Sequence, residues 1–173
     1  MSNERLIGVT SLLIGATSYN TTTGVYSMPS TFTTLTAIVP DSVKINIDMP
    51  EPTEFDTEES DFPDTSVPGK TKITGEFATF DAGASIFALL MGGTASGATV
   101  FKAMSTSATI REKSIRVVTK TTNGKYHTID IPRVSLRAGG ELAFAKSKPG
   151  QLTGSFSVLF AGTNTPPFKK TRT

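Results

Sequence analysis

One stretch limits the fold more than any other: VVTKTTNGKYHTIDI, residues 117–131. Asn123-Gly124 is the preferred pair for a two-residue type I′ turn, and both flanks are rich in β-branched residues. The flanks are predicted as strands over 114–122 and 125–131. That turn sets Val118 opposite Ile129, Thr119 opposite Thr128, and His127 across from Lys120. A chain with such a hairpin near its centre is committed to antiparallel sheet.

The rest of the sequence agrees. Residues 6–14 read as a first strand, and the Thr-rich 17–34 as a loop or edge hairpin. Strands follow over 35–39 and 42–49, broken at Pro40-Asp41. In the second, Val43, Ile45, Ile47 and Met49 alternate with Lys44, Asn46 and Asp48, the pattern of a half-buried strand. Residues 70–81 return to strand, with Ile73, Gly75, Phe77 and Thr79 on one face. Asp81 is placed to N-cap a helix over 82–91, ended by Gly92-Gly93, with Ile86, Phe87 and Leu90 inward. Strands over 133–137 and 141–146, separated by Gly139-Gly140, precede a last strand over 151–161. There Leu152, Gly154, Phe156, Val158 and Phe160 share one face. Eight or nine strands and one helix predict a mainly β fold, a β-sandwich or barrel with one short α-helix and a long acidic loop. The length of 173 residues suits a single domain over 1–173. The tail over 163–173 is expected to be flexible and to extend from the body.

Composition supports this class. The chain holds 28 Thr and 17 Ser but no Trp and no Cys. Hydroxyl-rich, β-branched surfaces suit sheets that face water. Without cysteine there are neither disulfides nor thiolate metal sites. No run of about 18 apolar residues marks a membrane helix, and no membrane partner is expected. Residues 6–16 are read as a strand rather than a signal segment, because glycines and hydroxyls dilute the run.

Charge is strongly polarised. Residues 1–69 hold two bases and ten acids, a net of −8, whereas residues 70–173 hold fifteen bases and five acids, a net of +10. Seven of the ten acids in 1–69 lie in PEPTEFDTEESDFPDTSVPG, residues 50–69. Glu51, Glu54, Asp56, Glu58, Glu59, Asp61 and Asp64 are the candidate contact residues of this extended loop. Long loops of this kind are usually functional or disordered. The plain reading is a solvated surface. The sharper one is that acidic and basic faces meet between subunits, because complementary potentials orient association.

Chemistry is hard to find. His127 is the one histidine, and a lone strand histidine reads as a surface residue. No second imidazole or thiol completes a metal site, and the acidic run lacks the glycine and spacing of a calcium loop. Gly69-Lys70-Thr71 ends like a phosphate-binding loop, but Asp64 stands where that motif needs glycine and would repel a phosphate. No nucleophile elbow is present. Two carboxylates drawn from a Pro-rich loop are poorly held for glycosidase work. Arg111, Lys113, Arg116, Lys120 and Lys125 cluster in sequence without a nucleic-acid motif, so sequence-specific readout is not expected. Neither catalysis nor a cofactor is expected.

The order of segments has a likeness. A strand ending in an acidic, Pro-rich loop is followed by SVPGKTKITGEFATFDAG and a short apolar helix. Over residues 35–160 this layout resembles the tail tube, or major tail, proteins of tailed phages. It is similar in plan to the tube subunits of contractile injection systems and type VI secretion. The resemblance implies a virion protein, made in the host cytoplasm, that forms hexameric rings stacked head to tail. It implies inner sheets joined around a lumen, and a long loop that contacts neighbouring subunits. Its partners would be copies of itself, a tape-measure protein, other tail proteins, and DNA that passes without sequence readout. The alternatives are a related tail terminator, connector or decoration protein, or a β-sandwich carbohydrate-binding module. The missing Trp and the three Tyr count against sugar stacking.

Overall fold

The computed structural model describes residues 8–35, 37–51, 53–55, 65–67, 70–97, 99–103, 111–121, 124–141 and 150–173. The described strands are β1 (Val9–Ala16), β2 (Ser18–Asn20), β3 (Val25–Ser27), β4 (Thr33–Leu35), β5 (Lys44–Asp48), β6 (Thr53–Phe55), β7 (Thr65–Val67) and β8 (Lys72–Thr79). Helix α1 (Ala84–Met91) follows. Then come β9 (Thr94–Ser96), β10 (Val100–Lys102), β11 (Arg111–Thr119), β12 (His127–Glu141), β13 (Gln151–Val158) and β14 (Lys169–Arg172). The fold is mainly β with one short described helix, as the sequence predicts.

The main sheet runs β4-β1-β11-β12-β13-β8-β5, and β14 pairs with β12 off this path. Beyond β4 the chain crosses from β1 to β8. The Val39 N–H donates to Ala78 O, the Phe80 N–H donates to Ala37 O, and Ile38 bridges Thr79. Residues 33–35 on β1 and 37–39 on β8 therefore tie the two sides of the sheet together and curl it into a barrel. Inside lie Leu12, Ile14, Leu35, Phe77, Ile115, Val117, Ile129, Ile131, Val134, Leu136, Leu152 and Phe156. These are the alternate positions of each strand, so period-2 patterning fills one continuous core.

The central hairpin forms with a different register. Val117 stands opposite Ile129 and Val118 opposite Thr128, one residue away from the two-residue-turn expectation. Burial explains the shift. Ile115, Val117 and Thr119 point inward on β11, and His127, Ile129 and Ile131 point inward on β12. Only the observed register sets these two rows face to face, and a one-residue slip would turn one row to solvent. Gly124 has a φ of 73°, the left-handed conformation expected of it, while Asn123 lies outside the described residues. β12 begins at His127 rather than at 125.

Three other expectations change. Asp81 does not cap α1. Gly83 is the N-cap, without a side-chain bond, and Asp81 Oδ2 instead accepts the Ala37 N–H at 3.3 Å. The need of the barrel seam for an acceptor outweighs the cap. Gly139-Gly140 does not end a strand, because β12 runs through it, pairing Gly139 with Thr153 and Gly140 with Leu152. Continuous partners on β13 hold the glycines extended; of the 141–146 strand, all but Glu141 lies outside the described residues. Last, the tail does not simply extend: β14 pairs His127–Asp130 with Lys169–Arg172, covering the part of β12 that β13 does not reach.

Within α1, Ile86 and Leu90 are buried, Phe87 is half-buried against Phe101, and Gly92 ends the helix at φ 80°. The Arg111 guanidinium donates to Ala88 O at 3.2 Å near that end. Pro132 sits inside β12 at the register shift between Lys113 and Ile115. A bulge tolerates the missing N–H. Buried Ser114 donates to Pro132 O at 2.7 Å and fixes it.

Candidate functional site

The acidic segment follows directly from β5, so the geometry of β5 decides what the segment can do. β5 pairs with β8 from Lys44–Glu76 to Asp48–Lys72. Its other edge has no ladder partner among the described residues. Ile45 is half-buried, but Ile47 is 52% and Met49 77% exposed. The expected half-buried strand is thus buried at its start and open at its end. Sequence alternation gave no sign of this, because exposure at an edge depends on which strand fails to cover it. On the outer face the Lys44 ammonium sits 3.1 Å from Glu76, with both side chains largely in water.

The candidate acids separate into three groups. Glu51 is exposed just past β5. Glu54 lies on β6, paired with Ser66 of β7. Asp56, Glu58, Glu59, Asp61 and Asp64 lie outside the described residues. β6 and β7 pair antiparallel, Thr53 with Val67 and Phe55 with Thr65. Part of the expected loop is therefore a two-stranded ribbon. Strand pairing gives its base a direction that a Pro-rich composition does not announce.

A groove of about 1000 Å³ lies beside the start of β8. Lys70, Ile73, Val158, Pro166 and Pro167 line it, with Phe160, which is 71% exposed. Phe160 was expected to share a strand face with Leu152 and Phe156, but β13 ends at Val158. Aliphatic and aromatic surface thus lies beside the start of β8, the strand with which β5 pairs.

The hairpin β2–β3 occupies the outside of the barrel. Its turn is held by the Asn20 carboxamide oxygen, which accepts the N–H groups of Thr22 and Thr23. The Tyr26 N–H donates to Ala161 O, and the Arg133 guanidinium lies 4.3 Å from the Tyr26 ring centroid. Arg133 also donates to Phe160 O and to both oxygens of Glu112. Hydrogen bonding to Arg133 holds the Glu112 carboxyl below the usual range, with desolvation opposing it. Beside it, Arg116 grips Asp130 and lies over the Phe32 ring, and the hydrogen bond to Asp130 raises the Arg116 pKa.

His127 is buried, 7% exposed, rather than on the surface, and faces Thr119 rather than Lys120. Its backbone N–H donates to Thr119 Oγ1 at 2.9 Å, while the ring Nδ1 has no partner among the described residues. The shifted register carries it inward. No group of three or more metal-ligating side chains forms among the described residues. No described helix is long and apolar enough to cross a membrane. No protein-family model matches the chain, and no curated protein matches it.

Proposed function

We propose that this chain is a structural subunit that assembles with copies of itself, and that the assembly is a tube of the phage tail type. The observation that carries the reading is the open edge of β5, where exposed Ile47 and Met49 lead into the acidic segment 50–69. An uncovered strand edge is a template for pairing with another chain, and ring closure removes such edges. Contacts between unlike surfaces of identical subunits generate rings or open filaments. The −8 and +10 halves favour such unlike contacts. Under this reading hexameric rings stack head to tail around a lumen that encloses a tape-measure protein and later conducts DNA without reading it.

Negative-stain imaging of the purified chain tests the proposal. Rings or stacked tubes of uniform width are the expected result. Particles that stay the size of one chain across a wide concentration range would overturn it.

A further inference from the structure

The barrel closes incompletely on the side where β1 and β5 approach each other. β4 holds β1 only over Leu12–Ile14, and beyond that point the chain crosses to β8. Two edges part as a result. The side of Val9–Ser11 away from β11 and the side of β5 away from β8 have no ladder partners among the described residues. Between them lies a cavity of about 470 Å³. Val9, Val43, Ile45, Val117 and Ile129 line it, and the chain's own residues 38–41 border it at one side.

We propose that this gap accepts an extended strand from a second copy of the chain. The inference rests on the self-assembly reading above. Edge N–H and C=O groups on two sides call for a backbone between them, because added strands gain affinity from main-chain hydrogen bonds. The aliphatic walls suit every second side chain of such a strand. A small amphiphile would fill the cavity but leave both edges unpaired. One of the edges belongs to β5, continuous with exposed Ile47 and Met49, so the occupant is assigned to the partner that this surface is proposed to meet.

Amide hydrogen exchange tests it, in the isolated chain and in its assemblies. The outward-pointing amides of Val9–Ser11 and of Lys44–Asp48 are expected to slow at least roughly tenfold on assembly. Val43→Glu puts a charge in the wall and is expected to abolish that slowing. A second arm needs neither assemblies nor a variant: overlapping peptides that cover the whole sequence are added to the isolated chain. One peptide is expected to slow the same amides, whereas decanoate, a small amphiphile, is not. If assemblies form while these amides keep their rates, strand insertion is wrong and self-assembly stands. If the amides are already slow in the isolated chain, the gap is filled from within and the inference falls. If no peptide acts and no assembly forms, both readings fall. Slowing by decanoate and by no peptide would make the cavity a small-ligand site instead.

Discussion

Phe77 lies over Gly154, and a Cβ built on that glycine would come 2.6 Å from the ring's Cε1. The two are cross-strand partners. The same relationship repeats two residues along, where Phe156 covers its partner Gly75 and a Cβ would come 2.7 Å from Cε1. Each strand thus supplies one ring and one glycine, and each ring fills the space its partner glycine leaves. Gly154→Ala and Gly75→Ala should each destabilise the chain by about 1–3 kcal/mol, the usual range for overpacking a core. Urea unfolding measures this. A loss near zero would show that the rings move aside freely.

The helix makes a complementary prediction. Leu90 is 1% exposed, and α1 contributes Ile86 and Leu90 to the common core. Leu90→Ala should cost about 2–5 kcal/mol, and the exposed Met91→Ala much less. Equal small losses at both positions would mean that α1 does not cover the core.

Arg133 and Glu112 give a prediction in pH. Hydrogen bonding lowers the Glu112 pKa in the folded chain, so the unfolded state takes up its proton first as pH falls. The contribution is full above the unfolded value of about 4.3 and is lost as pH drops through the lower folded value. The Glu112 side chain is 34% exposed, so solvent limits the pair to about 0.5–1 kcal/mol. Glu112→Gln should lower stability by that amount at pH 7 and flatten the acid limb of the stability curve. An unchanged acid limb would assign the acid sensitivity to other carboxylates.

Gly124 tests how the turn is made. Its φ is 73°, and a Cβ there would meet nothing within 4 Å. Any penalty must therefore come from the backbone conformation alone. Gly124→Val should cost about 1–2 kcal/mol, and Gly124→Asn clearly less, because asparagine tolerates the left-handed region. Equal costs for the two would point to a clash instead.

The class of fold was legible because alternation is local: Leu152, Gly154 and Phe156 announce their shared face without knowing their neighbours. The register of the hairpin was not. The turn pair Asn123-Gly124 favours one pairing, and the inward rows of Val117 and Ile129 impose another. Asp81 likewise has the chemistry of a cap, yet a backbone N–H from 44 residues earlier claims its carboxylate. In the candidate site the acids were legible from composition. The open edge of β5 was not, because alternation records a strand's faces and says nothing of its edges. The docking of β14 was hidden for the same reason: Lys169 and Lys170 mark a solvated tail, but free ladder positions on β12 decide where it lies.

The last prediction concerns salt. If the acidic segment 50–69 of one copy meets a basic surface of the next, part of the contact is electrostatic. Such interactions are screened over about 8 Å at physiological ionic strength and about 3 Å at 1 M. Each exposed pair contributes only about 0.2–1 kcal/mol, so no single reversal should matter much. Several pairs in each of many subunits act together, however, and complementary charge acts chiefly on encounter rates. Reversing Glu54, Glu58 and Asp61 together to Lys should slow assembly far more than any one reversal. High salt should slow the parent chain and leave the triple variant little changed. Finished assemblies should persist in salt, because strand pairing and apolar burial are not screened. Light scattering during assembly, across a salt series for both proteins, measures this. If the parent assembles equally fast throughout and the triple reversal changes nothing, the polarised charge is only a solvated surface, and the acids of residues 50–69 have no part in joining copies.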